Sequence, residues 1–279
     1  MALGGNPVFN NPNAFRKEPR GAAAGPAVLA GQSQLSSEQL QELYNRPSAG
    51  PARTGRMTYD DVIMKTLACL VLVLAGAVVG WMVPALMVPG MIIGLVLGLV
   101  NSFKRVPSKG LILAYSAAEG VFVGALSMVI DARYPGVAPQ AVIGTFCVFA
   151  VTLALFKSGK VRATPKAMKF FMIAMLGYLV FSLVNLALVM FGVLNSQWGA
   201  YGASINIMGI SIPIGVLIGL IAIGLAAFSL IMDFTSIEEG VRAGVDARFA
   251  WTAAFGLTVT LIWLYVEILR VLAILRGED

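Results

Sequence analysis

Histidine is absent from all 279 residues, and cysteine occurs only twice. The first absence removes the side chain whose charge ordinarily changes near neutral pH, and with it most zinc sites. Proton sensing, if there is any, must rest on carboxylates. Cys69 and Cys147 both lie inside apolar runs, too few and too deep for a disulfide framework. Charge is also scarce: Asp, Glu, Lys and Arg make up 12% of the chain, about half the share of an ordinary soluble domain. No glycine-rich phosphate loop, HExxH zinc motif or GxSxG elbow occurs. An intramembrane aspartyl protease needs two aspartates on neighbouring spans, and Asp233 has no second one inside the apolar runs. Neither an enzyme nor a cofactor is expected.

What the chain has in quantity is apolar sequence, 58% of residues with a mean hydropathy of +0.83. That composition describes an all-α polytopic membrane protein, since only helices satisfy every backbone group within one segment of a bilayer. The net charge of +6 does not point to nucleic acid. Its lysines and arginines sit in short loops beside apolar segments and in the N-terminal tail, where they act as orientation signals.

The strongest span begins at Ile210 and runs toward Gly240, with two dozen uncharged residues before Asp233. At about 1.5 Å per residue such a run exceeds the roughly 30 Å hydrocarbon core. Pro213 stands near its start, and Gly215, Gly219 and Gly224 are available for close helix contact. Before it come five further spans: 58–83, opened by Thr58, Asp60 and Asp61; 87–103, with Gly90, Gly94 and Gly98 at four-residue spacing; 111–130, with Glu119 near its middle; 140–156; and a fifth ending near Val193, with Asn185 its only amide. The last runs over 249–275 and carries Thr260, Glu267 and Arg270. The total is about seven.

Residues 1–57 read as a disordered cytoplasmic tail, with one helical island at Ser36–Pro47 presenting Leu40, Leu43 and Tyr44. Residues 58–279 form the transmembrane domain. No secretory signal is expected, because no apolar core follows a basic start. Lys104, Arg105 and Lys109 follow the second span, and Lys157, Lys160, Arg162, Lys166 and Lys169 follow the fourth. That asymmetry places the N-terminus in the cytoplasm and the C-terminus outside.

Three acids lie in or beside spans. Glu119 either is hydrogen-bonded between helices for packing or lines a polar path for a cation or proton. Asp233 either sits at an interfacial helix end or faces such a path. Glu267 pairs naturally with Arg270 at i, i+3, or lines the path in turn. Carboxylates with backbone carbonyls suit a hard cation such as calcium, which gives Asp233 and Glu119 as candidate ligands. Two nearby acids would instead share a proton.

The order of these features resembles the transmembrane Bax inhibitor motif family, especially its bacterial, actinobacterial-type members. The resemblance rests on the acid in AAEGVFVG, on LIMDFTSIEEG ending the sixth span, and on YNRP and MTYDDVIMKT near the N-terminus; it covers roughly Thr58 to Leu275. It implies a bundle wrapped around its last helix, and a calcium-permeable leak of the bacterial inner membrane governed by a pair of aspartates on the sixth and seventh spans. Asp233 matches the first aspartate and Glu119 the acid of the third span. Thr260 stands at the position of the second aspartate, so the two-acid pH switch is altered here. Glu267 lies two turns further on. Lys104 and Arg105 are candidates to latch Asp233 from the cytoplasmic side.

These readings converge on a pH-modulated calcium leak or exchanger, its gate at Asp233 and Thr260, its partners the lipid bilayer and calcium or protons. A second reading is a membrane-embedded binding protein that restrains a membrane protease or other quality-control partner. A third is a proton-coupled transporter of small metabolites. The topology is open to direct test. A reporter fused after Asp279 should behave as extracytoplasmic, and one inserted near Lys160 as cytoplasmic. A common side for both would refute the span count.

Overall fold

The structure, a computed structural model, describes residues 55–159, 163–194, 199–207 and 210–277. The N-terminal tail up to residue 54, the Ser36–Pro47 island, Lys160, Arg162 and the chain's last two residues lie outside them. Seven helices among the described residues are long and apolar enough to cross a membrane: α1 (Tyr59–Met82), α2 (Met87–Phe103), α3 (Lys109–Arg133), α4 (Val137–Lys157), α5 (Pro165–Met190), α6 (Ile214–Arg242) and α7 (Ala250–Arg276). The all-α polytopic expectation holds.

Local chemistry sets the helix starts. Thr58 caps α1, its Oγ1 accepting from the Asp61 amide at 3.1 Å, and Asp60 and Asp61 sit where the positive end of the helix dipole favours them. Lys65 lies 3.9 Å from Asp61 one turn on. Asp131, still in α3, accepts from the Gly136 and Ala138 amides at 3.0 Å each and so caps α4. Thr164 caps α5, with Pro165 in the first turn, where its missing N–H costs nothing.

One expectation needs correcting. Ile210–Pro213 is not the first turn of the sixth span but a strand, β2, paired antiparallel with β1 (Ser204–Ile207) in the register Ser204↔Pro213 to Ile207↔Ile210. The cause is Pro213. It disfavours the helical region for Ile212 before it and cannot donate to a helical ladder, so α6 begins only after it. The β-branched isoleucines on both strands suit the extended alternative.

The helix α7 is the most buried of the seven, and α5 the least. Around α7 pack α6, α1, α4 and α3, so the last helix is central, as expected. Backbone contact locks α1 to α3. Gly76 and Gly80 of α1 face the main chain at Ala117–Val121, while Gly120 and Gly124 of α3 face that of Val73 and Ala77. The glycines of α2 seat the same helix α3 from its other side, Gly90 against Ala118 and Phe122 and Gly98 against Tyr115. Without a hydrophobic force between helices in lipid, such backbone approach is what holds them. Gly224 meets nothing within 4 Å, so its expected role in close contact is not realised.

Gly124→Ala should therefore lower the thermal stability of the detergent-solubilised protein markedly. The new Cβ would strike backbone that cannot rotate away, at a cost of about 1–3 kcal/mol or more. Gly224→Ala should leave the melting temperature unchanged or slightly higher, and a loss equal to that of Gly124→Ala would disprove the clasp.

Candidate functional site

Burial on α6 runs almost unbroken from Leu230 to Phe234, and Asp233 lies inside that run with 1% exposure. It is not an interfacial helix end. Across the α6–α7 contact the Thr260 hydroxyl donates to Asp233 Oδ2 at 2.7 Å. The same hydroxyl lies 3.1 Å from the Gly256 carbonyl one turn back, so its single proton is divided between a carboxylate and a nearly saturated backbone oxygen. The shorter contact is to the carboxylate, where a charge-assisted bond is stronger.

Glu119 lies elsewhere, half-buried between α3 and α2. A Cβ on Gly94 would come within 2.7 Å of its Oε1, so the absence of a side chain there makes room for the carboxylate. Among the described residues no hydrogen bond or ion pair reaches Glu119. Asp233 and Glu119 thus occupy different helix contacts, α6–α7 and α2–α3. They still share a level: the rungs Tyr115–Phe255 (ring centroids 4.9 Å apart) and Ser127–Tyr265 (2.6 Å) run α3 and α7 side by side, and Glu119 and Thr260 both fall between them. No cluster of three or more potential metal ligands is found among the described residues.

Lys104 and Arg105 do not reach Asp233. Both are exposed in the connection after α2, and α2 packs on α3 rather than on α6. Thr260 of the neighbouring α7 holds Asp233 by a hydrogen bond.

Glu267 is 2% exposed and bound rather than open to a path. It forms the expected ion pair with Arg270, accepts from Tyr178 of α5, and accepts from the Trp263 indole at 3.2 Å. Arg270 also reaches the Tyr178 hydroxyl at 3.2 Å and stands 4.2 Å from the Tyr201 ring centre. Ser182 and Tyr201 share a hydrogen bond at 3.2 Å, and Asn185 Oδ1 accepts from the Ala200 amide at 2.6 Å. Phe171 is the only buried side chain of α5, so this polar set supplies much of what fastens α5. Trp263 was legible one turn before Glu267. Tyr178 and Tyr201 carried no local signal, because their role depends on which helices become neighbours.

A third set closes the end where α6 leads into α7. The Met57 amide donates to Val245 O at 2.6 Å and the Ala247 amide to Gly55 O at 2.9 Å. Lys65 donates to Ala247 O at 2.9 Å. The ammoniums of Lys65 and Lys109 lie 5.8 and 5.7 Å from the ring centre of Trp251. The residues just before α1 therefore tie down the α6–α7 connection.

Removing one partner of a buried ion pair leaves an uncompensated charge, at about 3–5 kcal/mol. Arg270→Met should accordingly destabilise the protein strongly. Arg270→Met with Glu267→Leu should recover most of the loss, and failure to recover would show that the pair is not the source of the penalty. Thermal melts of the two variants in one detergent decide this.

Among curated proteins, none matches the chain. A family profile does match, across residues 6–277, and so extends further into the N-terminus than the resemblance drawn from Thr58 to Leu275. With seven spans, the last of them buried among four others, and an aspartate sealed between the sixth and seventh, the chain belongs to the Bax inhibitor 1 like family of membrane proteins.

Proposed function

We propose that this protein is a gated, calcium-permeable leak of a bacterial inner membrane, closed by the Asp233–Thr260 contact. The observation that carries the reading is an aspartate with 1% exposure inside an apolar bundle. Ionisable groups within membrane spans are costly, and they concentrate on ion and proton pathways. Here the cost is offset in part by a donor on the neighbouring helix, so the contact reports how α6 and α7 are set against each other. Separating the two helices would strip Asp233 of that donor and favour water or a cation beside it. Glu119, at the same level and without a hydrogen bond or ion pair among the described residues, supplies a second carboxylate. Calcium accepts all-oxygen surroundings of carboxylates, carbonyls and water without a fixed geometry.

The pH response follows from what the hydroxyl can donate to. An ionised Asp233 accepts a charge-assisted bond from Thr260, and a protonated one keeps only a neutral bond. Acid therefore weakens this particular bond. With threonine on α7 in place of a second acid, one proton rather than a shared pair is involved, which makes the response shallow.

Calcium flux into liposomes holding the purified protein alone tests the proposal, and it separates a leak from a protein that works only through a partner. Thr260→Val keeps the shape and removes the donor. A hydrogen bond to a charged group contributes about 1.5–3 kcal/mol, so resting flux should rise roughly tenfold or more. Asp233→Asn should flatten the pH profile, and Thr260→Asp should raise its midpoint and steepen it through coupled titration. Glu119→Gln should lower flux while membrane expression stays normal. The gate assignment fails if Thr260→Val and Asp233→Asn both leave flux and pH profile at wild-type values.

A further inference from the structure

The segment just before α1 crosses the end of the bundle where α6 leads into α7. It pairs there as an isolated antiparallel bridge, Arg56 opposite Asp246, flanked by the Met57–Val245 and Ala247–Gly55 backbone bonds. The turn it crosses is closed by its own cap. The Val245 amide bonds to Gly240 O and the Gly244 amide to Val241 O, each at 3.1 Å, with Gly244 at φ +65°. That left-handed residue stops α6, and the Arg56 side chain passes over it, its Cδ 3.3 Å from where a Cβ would stand. Met57 is 4% exposed. It belongs to the same cluster of buried apolar side chains as Phe234 and Ile237 of α6 and Ala250 and Ala253 of α7.

The two sides of this contact differ in how firmly they are held. Its anchor is α1, clasped to α3 by backbone contact at four glycines. The helices it grips share a seam whose polar tie is Asp233–Thr260. Arg242, the last residue of α6, stands nine positions past Asp233, about 14 Å along the helix. Fixing the turn removes the end of α6 as a free pivot. Parting the two helices at Asp233 must then bend that short length of helix or undo the bridge. The bridge is the easier to undo, because so short a β contact is marginal by itself and such contacts open locally well before a buried core does.

We propose that Gly55–Met57 is a strap that restrains the gate: closed over the α6–α7 turn it keeps the resting leak low, and its release lets α6 and α7 part at Asp233. The strap deepens the leak reading above and rests on it for the flux arm of the test, while the exchange arm is independent of calcium.

The experiment fastens and frees the strap in the full chain, reconstituted in liposomes. Arg56 and Asp246 are opposed without bonding each other, and the Cα atoms of such a pair stand about 4.5 Å apart, a spacing that a disulfide can bridge. Arg56→Cys with Asp246→Cys, in a Cys147→Ala chain, should therefore oxidise to a disulfide, verified by mass spectrometry. The oxidised chain should leak calcium roughly threefold or more below the same chain reduced. Thr260→Val added to it should raise flux when the strap is reduced and much less when it is oxidised. Met57→Asp, which expels the methionine, should raise resting flux by a similar factor, and Met57→Ala serves if Met57→Asp does not fold. Hydrogen exchange over residues 228–240, well short of the disulfide, should slow on oxidation and quicken in the Met57 variant. Silence of every chain in the flux assay, wild type included, would sink the leak reading and leave exchange to decide the strap. A cysteine pair that does not oxidise, exchange indifferent to oxidation and to the Met57 variant, or a chain that leaks calcium equally whether oxidised or reduced would each overturn the strap.

Discussion

A carboxylate withdrawn from water inside a membrane must find its partners within the bundle, and much of this fold is arranged to provide them. Both nearly inaccessible acids are satisfied through α7: Asp233 by Thr260, and Glu267 by Trp263 and Arg270 of α7 with Tyr178 of α5. A helix that carries such groups cannot face lipid. It therefore lies at the centre with the others around it, since lipid-exposed ionised groups are penalised far more than lipid-exposed leucines. The centrality of α7 follows from its polar content as much as from its hydrophobicity.

The helices differ in how they are held, and the difference has mechanical meaning. Backbone-to-backbone contacts at four glycines join α1 and α3 into one unit, and α2 is fitted onto the same helix. Such contacts have no side chain to rearrange, so they resist sliding. By contrast α5 hangs on polar contacts and a single buried phenylalanine. Between these extremes α6 meets α7 along a long apolar seam interrupted by one hydrogen-bonded acid. A backbone-clasped α1–α2–α3 unit thus stands beside a seam held by a discrete polar contact, so parting α6 from α7 meets less backbone interlock than parting α1 from α3.

The spans were legible because a bilayer fixes their length and excludes charge from their middles; the span at 87–103 coincides with α2. The hairpin was not legible, because hydropathy counts Ile210 and Ile212 as helix-compatible and only the restriction imposed by Pro213 on its neighbour speaks against it. The pairing of Glu267 with Arg270 was visible from helical spacing. The burial of Asp233 was not, since its place near a charged turn suits an interface equally well. Reading Lys104 and Arg105 as latches failed to reach Asp233 for a tertiary reason. Loops that share a membrane face need not be neighbours, and the α2–α3 connection belongs to the other flank of the bundle.

The α6–α7 seam has more than one tie. Asp233 and Thr260 join α6 to α7 within the membrane, while the residues before α1 grip the connection between the same two helices through Met57–Val245, Gly55–Ala247 and Lys65–Ala247. Twelve residues, between Asp233 and Asp246, separate the buried contact from the bridge at Arg56. Opening the seam at Asp233 must therefore bend α6 above that bridge or release the bridge with it. Because the bridge is formed by the segment immediately following the N-terminal tail, anything that pulls on that tail acts on the α6–α7 connection directly, without passing through the lipid-facing helices.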